Sequence, residues 1–347
     1  MSDASQVMKV CFVWAGLPQY AARCIGAFVR ATGIRAVVVA LRPDVPAKGM
    51  DGVCGCPVRW VGVREELTGL PELADVTHLY VTGWFLSTFN ELCRAFRARG
   101  VKVYSFVDND ASVGKGVGAH VRAALKKVQF RLLKRRLFDG YIVPGKSGRR
   151  LLESYGVPSD RIWEGMDCAD ETLYHDGAPL AERPKRIIYV GQYISRKNIV
   201  AMAEAFRAEN RGDWRLDLYG CGPVAVADGG GVFVHPFLQV EGLAEEYRRS
   251  RVLWLGSHEE HWGLVVHEAA LSGCVLALSN RIGAAADLAG DDNAVIFDPE
   301  DPRGMRRAMR TVMDLTDDRL VRAQRESLEK ASRIGLNTFV EAVKSGL

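Results

Sequence analysis

The sequence is 347 residues long, with 48% hydrophobic and 25% charged residues and a formal net charge of +4. This composition excludes a disordered or low-complexity chain, and the length suggests two domains of about 150 residues each. No apolar run approaches the roughly 18 residues of a membrane span, so we expect a cytoplasmic protein whose eight cysteines stay reduced.

Short runs of β-branched residues alternate with helical patterns along both halves of the chain. Such alternation is typical of parallel sheets whose strands are connected by helices. The predicted strands of the first half are 9–14, 35–41, 77–83, 101–109 and 140–145. Those of the second half are 186–191, 215–220, 232–236, 252–257, 274–279 and 294–298.

A polar stretch at 176–186 separates the two series of strands. We therefore predict an α/β fold of two Rossmann-like doubly wound domains, 1–180 and 181–325, with a C-terminal helix within 326–347 that packs back on the first domain. Ligands of such sheets bind beyond the carboxyl ends of the strands. Two such domains facing each other would hold a ligand in the cleft between them.

Three short motifs match known sites but lack the context that those sites require. GYIVPGKS at 140–147 fits a phosphate-binding P-loop, yet the predicted strand lies inside the supposed loop instead of before it. HEEH at 258–261 would need His at position 262 to form a zinc-protease helix, and Trp262 stands there. The Asp-x-Asp at 108–110 is too short a pattern to indicate a metal. We predict no metal site from these motifs.

Two glutamates flank the predicted start of a helix in the second half. Glu260 precedes a Trp-Gly turn, and Glu268 lies roughly one and a half turns inside the helix, at ~3.6 residues per turn. The first N–H groups, of Gly263, Leu264 and Val265, would bind an anion such as a phosphate. The carboxylates would accept hydrogen bonds from sugar hydroxyls, which suits a nucleoside-diphosphate sugar. An isolated pair of glutamates would more often be solvated or only favour the helix terminus by charge.

The residues around these glutamates resemble the family 4 glycosyltransferases of the GT-B fold. The family pattern of two glutamates with seven residues between them reads Glu260-HWGLVVH-Glu268 here. The family motif G-R-L-x-x-x-K-G corresponds to YVGQYISRKN at 189–198, and G-x-G-P corresponds to 220–223. The order and spacing match over about 190–300, whereas the first half resembles the family more loosely.

This resemblance implies a role for each matching residue. Glu268 would hold the ribose hydroxyls, Glu260 would contact the donor sugar near the reacting carbon, and Lys197 would neutralise the diphosphate. Gln192 stands where the family usually has a phosphate-binding Arg, and Arg196 would supply that charge if the loop turns it inward. The other predicted donor-binding residues are Gly16, Phe237, Gly263 and Leu264.

The first half is expected to bind the acceptor of the sugar. The loop after the strand at 101–107 corresponds to the place where the family offers a His or Asp near the donor sugar. Asp108 is therefore the predicted catalytic residue of this half, and Asn109 is predicted to contact the acceptor. Asx turns that cap the next helix would explain the same two residues.

The segment from Arg122 to Arg150 is strongly basic and carries apolar residues at helical spacing. Such a helix could lie on an anionic membrane surface, and we expect this contact through 121–138 at the inner face of the plasma membrane. A core-packed helix with a solvated basic face would show the same pattern. Nucleic-acid binding is not expected, because no aromatic residues interleave with the charges. The apolar residues at helical spacing are Val121, Leu125, Val128 and Leu132.

The resemblance implies a retaining, metal-independent glycosyltransferase without a cofactor. It would move a sugar from a nucleoside-diphosphate donor to a glycan or lipid-linked acceptor, in bacterial surface polysaccharide or glycolipid synthesis. One alternative is a GT-B epimerase or phosphorylase that acts on a nucleotide sugar or a polymer. Another is a non-catalytic subunit that binds a nucleotide sugar, which the departure at Gln192 keeps open.

Overall fold

The computed structural model describes residues 8–42, 50–108, 117–210 and 212–347. The chain divides into two compact units, and each has its own parallel sheet and its own hydrophobic core. The N-terminal unit contains Met1–Cys168 together with Leu336–Leu347, and the C-terminal unit contains Ala169–Gly335.

In the described ranges, the sheet of the N-terminal unit has seven strands. They are β1 (Lys9–Trp14), β2 (Arg35–Leu41), β3 (Val58–Val61), β4 (His78–Thr82), β5 (Lys102–Phe106), β6 (Gly140–Val143) and β7 (Ile162–Glu164). Its first five helices are α1 (Gln19–Thr32), α2 (Met50–Cys54), α3 (Ser87–Ala98), α4 (Val117–Gln129) and α5 (Lys146–Ser154). The strands are parallel, in the order β3-β2-β1-β4-β5-β6-β7.

The part of the C-terminal unit that the structure describes has a sheet of six strands. They are β8 (Arg186–Val190), β9 (Arg215–Tyr219), β10 (Val232–His235), β11 (Val252–Leu255), β12 (Val275–Ser279) and β13 (Ala294–Phe297). The remaining helices are α6 (Ile199–Glu209), α7 (Val240–Arg248), α8 (Leu264–Leu271), α9 (Ala285–Leu288), α10 (Pro302–Met313), α11 (Asp317–Ala331) and α12 (Leu336–Lys344). These strands are also parallel, in the order β10-β9-β8-β11-β12-β13.

Local sequence explains where several elements begin and end. The central strand β1 is buried from Val10 onward, as its continuous apolar run requires in a sheet covered on both faces. Helix α1 ends at Gly33, whose φ of +65° is a conformation that glycine adopts without strain. Helix α10 begins with Pro302, and the Asp301 side chain accepts a hydrogen bond from the Arg303 N–H.

Strand order reverses beside the first strand of each sheet. In the C-terminal unit β8 lies between β9 and β11, so the loops that follow β8 and β11 leave the sheet side by side in opposite directions. This reversal is where open α/β sheets bind their ligands. The loops that carry Lys197 and Glu260 are the two that meet there.

The unit boundaries differ from those expected from composition. The boundary between the units lies between residues 168 and 169 instead of between 180 and 181, because the segment after residue 168 forms hydrogen bonds with the C-terminal unit. The Leu180 N–H donates to the Gln324 side chain at 2.8 Å. At the other end α11 stays in the C-terminal unit, where the buried Ser327 hydroxyl donates to the Cys274 carbonyl at 2.7 Å. Only α12 joins the N-terminal unit.

Helix α12 covers one face of the N-terminal sheet. The Phe339 ring stacks on Phe106 with centroids 5.7 Å apart, and the Tyr80 hydroxyl donates to the Val343 carbonyl at 2.7 Å. The C-terminal segment therefore completes the hydrophobic core of the unit in which the chain begins.

The structure also settles two of the short motifs. β6 occupies Gly140–Val143, inside GYIVPGKS, whereas the strand of a P-loop ends before the first glycine of the motif. The segment is therefore not a P-loop. HEEH at 258–261 lies in the loop before α8 and not on a helix.

All cysteines are free thiols, and all but Cys56 and Cys221 are buried. Within the described ranges, no helix is long and apolar enough to cross a bilayer.

Candidate functional site

An ion pair joins the two loops at the strand reversal of the C-terminal unit. The Lys197 ammonium group contacts the Glu260 carboxylate, and the two side chains are only 12% and 13% exposed. Arg196 lies beside them, with its Nη1 atom 3.7 Å from Glu260 Oε2. Burial from water strengthens these attractions relative to a surface pair. The two cations predicted to bind the diphosphate and the carboxylate predicted to contact the sugar therefore lie together at this strand reversal.

The backbone around Glu260 is fixed by its neighbours. Its N–H donates to the Arg281 carbonyl at 3.1 Å, and its carbonyl accepts from the Gly283 N–H at 3.0 Å. On its other side the His258 N–H donates to the Arg196 carbonyl at 2.9 Å. The carboxylate is therefore presented from a rigid segment, which is the condition for a positioned charge in a binding site.

Gly263 links Glu260 to the start of α8. Its φ is +91°, and a Cβ atom placed on it would lie 3.1 Å from Glu260 Cγ, so a side chain would be strained and crowded there. The first N–H groups of any helix lack a carbonyl partner within that helix. Those of Leu264 and Val265 at the start of α8 are the basis of the predicted anion site.

The loops after β8 and β9 run against each other so closely that only glycine fits. A Cβ atom on Gly220, where φ is +156°, would lie 1.9 Å from the Gly191 carbonyl oxygen. One on Gly222 would lie 2.4 Å from the Tyr193 carbonyl oxygen. Gln192 itself is exposed on this loop. The G-x-G-P motif therefore has a packing role in addition to any role in binding.

Glu268 lies in different surroundings from Glu260. It is buried on α8, 7% exposed, and its carboxylate accepts a hydrogen bond from the Tyr247 hydroxyl at 3.0 Å. The Tyr174 ring packs edge-on against Tyr247 at 5.9 Å. Burial raises the pKa of Glu268 to about 7, although the hydroxyls of Tyr247 and Tyr174 act in the opposite direction. A carboxyl group with this pKa changes its charge near neutral pH.

His267 is a structural residue that sequence reasoning missed. Its Nδ1 accepts a hydrogen bond from the Ala169 N–H at 3.0 Å, and its Nε2 lies 3.2 Å from the Ala331 carbonyl oxygen. Burial lowers the pKa of His267 to about 4, so the ring is neutral and carries its proton on Nε2. This histidine ties α8 to both ends of the C-terminal unit.

A buried carboxylate on β9 gathers three cationic or donor side chains. Asp217 accepts from Arg186 at 2.9 Å, from Arg215 at 2.5 Å and from His235 at 2.6 Å. Burial would raise the pKa of Asp217, but hydrogen bonds from Arg215 and His235 and the charge of Arg186 hold it below its usual range. The predicted Phe237 follows His235 by two residues and is partly buried. Sequence analysis missed this cluster.

The predicted residues of the N-terminal unit lie at the carboxyl ends of its strands. Gly16 follows β1 with a φ of +75°, and Asp108 follows β5 and is exposed. Asn109 lies outside the described residues. Sequence analysis missed Asp167, a buried residue after β7 with a φ of +55°. Burial and the nearby charge of Asp108 raise the pKa of Asp167 well above its usual range, whereas a hydrogen bond from Tyr20 lowers it.

The basic segment exposes its apolar residues. α4 continues through a π-helical turn, Phe130–Lys134, whose first residue is buried. Five other apolar side chains of the helix and this turn are between 51% and 72% exposed, so the alternative of an apolar stripe packed on the core is wrong. We call these residues the α4 surface: Val121, Leu125, Val128, Leu132 and Leu133.

Comparison with known families gives one match, which lies in the C-terminal unit. Residues 170–333 match the family model described as Glycosyl transferases group 1, which is a little under half of the chain and nearly all of this unit. A search of curated proteins found no match.

Comparison with solved structures extends over both units. Anabaena HepE in complex with UDP-glucose has a TM-score of 0.73 at 14% identity, covering 98% of this chain and 100% of that one. Sucrose-phosphate synthase from Thermosynechococcus elongatus has a TM-score of 0.71 at 14% identity, covering 97% of each chain. A UDP-forming α,α-trehalose-phosphate synthase from Burkholderia vietnamiensis has a TM-score of 0.66 at 12% identity, covering 97% and 98%. The predicted GT-B fold of two Rossmann-like domains is confirmed.

Proposed function

We propose that this protein is a retaining glycosyltransferase that takes its sugar from a nucleoside-diphosphate donor. The observation that carries the proposal is the Lys197–Glu260 ion pair at the strand reversal of the unit that matches the glycosyl transferases group 1 model. The GT-B fold and the similarity to HepE, which was solved with UDP-glucose, support the same class of enzyme and donor.

The donor would bind mainly through the C-terminal unit. Lys197 and Arg196 face the diphosphate, and Arg196 replaces the cation that is missing at Gln192. The N–H groups of Gly263 and Leu264 add hydrogen bonds to the phosphate oxygens. The other donor contacts are Glu268 at the ribose, Phe237 beside the base, and Gly16 of the N-terminal unit.

The reaction would be driven by stabilising separated charges. The bond between the anomeric carbon and the phosphate oxygen breaks, and its electron pair stays on the phosphate, where Lys197 and Arg196 stabilise the charge without a metal. The acceptor hydroxyl attacks the same face of the sugar and passes its proton to the departing phosphate oxygen. Glu260 stabilises the positive charge that develops on the sugar. Asp108 orients the acceptor hydroxyl.

The acceptor would be a glycan or a lipid-linked glycan, as in the synthesis of bacterial surface polysaccharides or glycolipids. The exposed α4 surface lies among basic residues, and this combination suits an anionic membrane at which a lipid-linked acceptor is found. The protein would then work at the cytoplasmic face of that membrane, with Asp108 and Asn109 in the acceptor half.

Thermal unfolding with a panel of UDP-, GDP-, ADP- and CMP-sugars tests the proposal. A donor that stabilises the wild type, and stabilises Glu268→Gln less, supports the site. Release of its nucleotide together with an acceptor extract, and an unchanged anomeric configuration in the product, support the reaction. Binding without release would indicate a non-catalytic subunit instead, and no response to any nucleotide sugar would overturn the proposal.

A further inference from the structure

The loop after β4 displays a large aromatic side chain to solvent. Phe85 is 70% exposed, and it lies at the carboxyl end of the strand, between β4 and α3. This is the edge at which open α/β sheets meet their ligands. Burying a phenylalanine side chain is among the largest apolar gains a protein can make, so a partner that covers Phe85 would gain binding free energy there.

Several hydrogen bonds hold this loop in place. The Gly83 N–H donates to the Phe106 carbonyl at 2.7 Å. The buried Asn90 side chain donates to the carbonyls of Trp84 and Leu86, at 3.0 Å and 2.9 Å. Gly83 has a φ of +63°, and a Cβ atom on it would lie 2.8 Å from the Phe85 ring. The ring therefore rests on a glycine in a fixed loop, with its outer face open.

A row of aromatic rings connects this loop to the basic helix. The Trp84 ring lies 5.7 Å from the Phe85 ring on one side and 4.8 Å from the Phe130 ring on the other. Phe130 is buried and begins the π-helical turn whose next residues include Leu132 and Leu133 of the α4 surface. The buried Phe130 therefore connects the two exposed features: Trp84 links it to the Phe85 ring, and the turn that it begins carries part of the α4 surface.

The charges around the α4 surface select an anionic partner. Arg149, at the end of the basic segment, forms an ion pair with Glu164, but several basic residues between 126 and 136 have no carboxylate partner in the part of the chain that the structure describes. They are Lys126, Lys127, Arg131, Arg135 and Arg136. Arg131 donates to the Tyr155 carbonyl at 2.8 Å, which leaves its positive charge without a neutralising carboxylate. Cations without a carboxylate partner beside exposed apolar side chains are the pattern of a surface that enters the boundary between anionic headgroups and acyl chains.

We propose that Phe85 enters the bilayer together with the α4 surface, so that the membrane contact spans two separate elements of the N-terminal unit. This inference rests on the membrane contact in the proposed function and adds a second attachment point to it. Two attachment points fix the orientation of the unit, whereas one helix would leave it free to rotate about its axis. The carboxyl edge of the sheet, next to β4, is then held at the lipid surface, where a lipid-linked acceptor would lie.

Flotation of the full-length protein with phosphatidylcholine vesicles, with and without phosphatidylglycerol, tests this inference. We expect Phe85→Ser to weaken binding to anionic vesicles about tenfold, and Phe85→Trp to bind as the wild type does. Val321→Ser removes an apolar side chain of similar exposure, 58%, from α11 of the other unit and should leave binding unchanged. Circular dichroism should show all variants folded.

A second variant separates this inference from the membrane contact on which it rests. If Leu125→Ser/Leu132→Ser abolishes vesicle binding while Phe85→Ser binds like the wild type, Phe85 is not a membrane residue and the inference fails alone. If Phe85→Ser keeps vesicle binding but slows sugar transfer, Phe85 contacts the acceptor glycan instead, and the inference also fails. If the wild type does not bind anionic vesicles, the proposed membrane contact fails together with it.

Discussion

The Lys197 ammonium group and the Glu260 carboxylate form an ion pair across 63 residues of sequence. The pair means that, without a ligand, the main predicted phosphate-binding cation is already neutralised by the predicted sugar-binding carboxylate. A donor diphosphate would have to take Lys197 from Glu260, which would release the carboxylate at the position where the sugar is expected. One binding event would thereby arrange both charges.

Replacing Lys197 with methionine should weaken donor binding by at least about tenfold, because a charge-assisted contact with the diphosphate is lost. Isothermal titration with the donor found by thermal unfolding measures this loss. Lys185→Met is the matched control, since that lysine forms an exposed ion pair with Asp213 in the same unit. Equal donor affinity in Lys197→Met and the wild type would remove Lys197 from the site.

Replacing Glu260 with glutamine should separate binding from chemistry. The amide keeps the shape of the side chain but no longer competes for Lys197, so donor affinity should stay the same or increase. The turnover number should fall by about a hundredfold or more, because the charge that stabilises the transition state is gone. Steady-state kinetics that determine kcat and KM separately test this prediction. A fall in affinity with unchanged kcat would make Glu260 a binding residue only.

Donor affinity should depend on pH through Glu268. Burial raises the pKa of this carboxyl group to about 7, and the ribose hydroxyls would donate to its ionised form. Below that pKa the group is neutral, and its protonated oxygen donates instead of accepting. The charge-assisted hydrogen bonds from the ribose hydroxyls are lost, so the binding-competent fraction falls. Affinity should decrease by about tenfold between pH 8 and pH 6.

Glu268→Gln provides the control for this pH dependence. Its amide does not titrate, so its donor affinity should be lower than that of the wild type at pH 8 and constant down to pH 6. The diphosphate of a nucleotide sugar has no proton to gain in this range. A wild-type affinity that does not change with pH would contradict a titrating role for Glu268.

The sequence alone was sufficient to predict the bounds of elements that have a strong local pattern. The bounds of β1 and β2 coincide with the predicted ones. The family resemblance singled out Lys197 and Glu260, and the structure joins the two in an ion pair. β7 was missed because three residues are too few for a strand pattern to be recognised. β3 was missed because Arg59 interrupts its apolar run, whereas other strands of four residues lie in predicted apolar runs.

Residues whose role depends on distant partners could not be predicted. Asp167 was missed because its surroundings come from other elements of the N-terminal unit, including Tyr20 and Asp108. His267 was missed because its partners, at 169 and 331, come from the two ends of the C-terminal unit. The contacts that set the pKa values of Asp167 and His267 form only when the chain folds, so no local sequence pattern predicts them.

Replacing Gly220 with alanine should destabilise the C-terminal unit and weaken donor binding together. The new Cβ atom would lie 1.9 Å from the Gly191 carbonyl oxygen, so the loops after β8 and β9 must separate. We expect a loss of about 3 kcal/mol in the free energy of unfolding, from overpacking and backbone strain. Gly212→Ala is the control, because φ is +95° there but no atom lies within 4 Å. It should lose about 1 kcal/mol, and equal losses would show that crowding at Gly220 is relieved.

Replacing Asp217 with alanine should be among the most destabilising changes in the C-terminal unit. Asp217 is fully buried and shares the charge of Arg186 with Glu246, and it also accepts hydrogen bonds from Arg215 and His235. Its removal leaves these donors without their common acceptor and Arg186 with Glu246 alone, away from water. We expect a loss of about 3 to 5 kcal/mol in the free energy of unfolding, measured with urea. Asp213→Ala removes an exposed ion pair with Lys185 and should change stability by less than about 1 kcal/mol. Similar losses in both variants would mean that the Asp217 cluster is relaxed by water, and that its charges do not hold β8, β9 and β10 together.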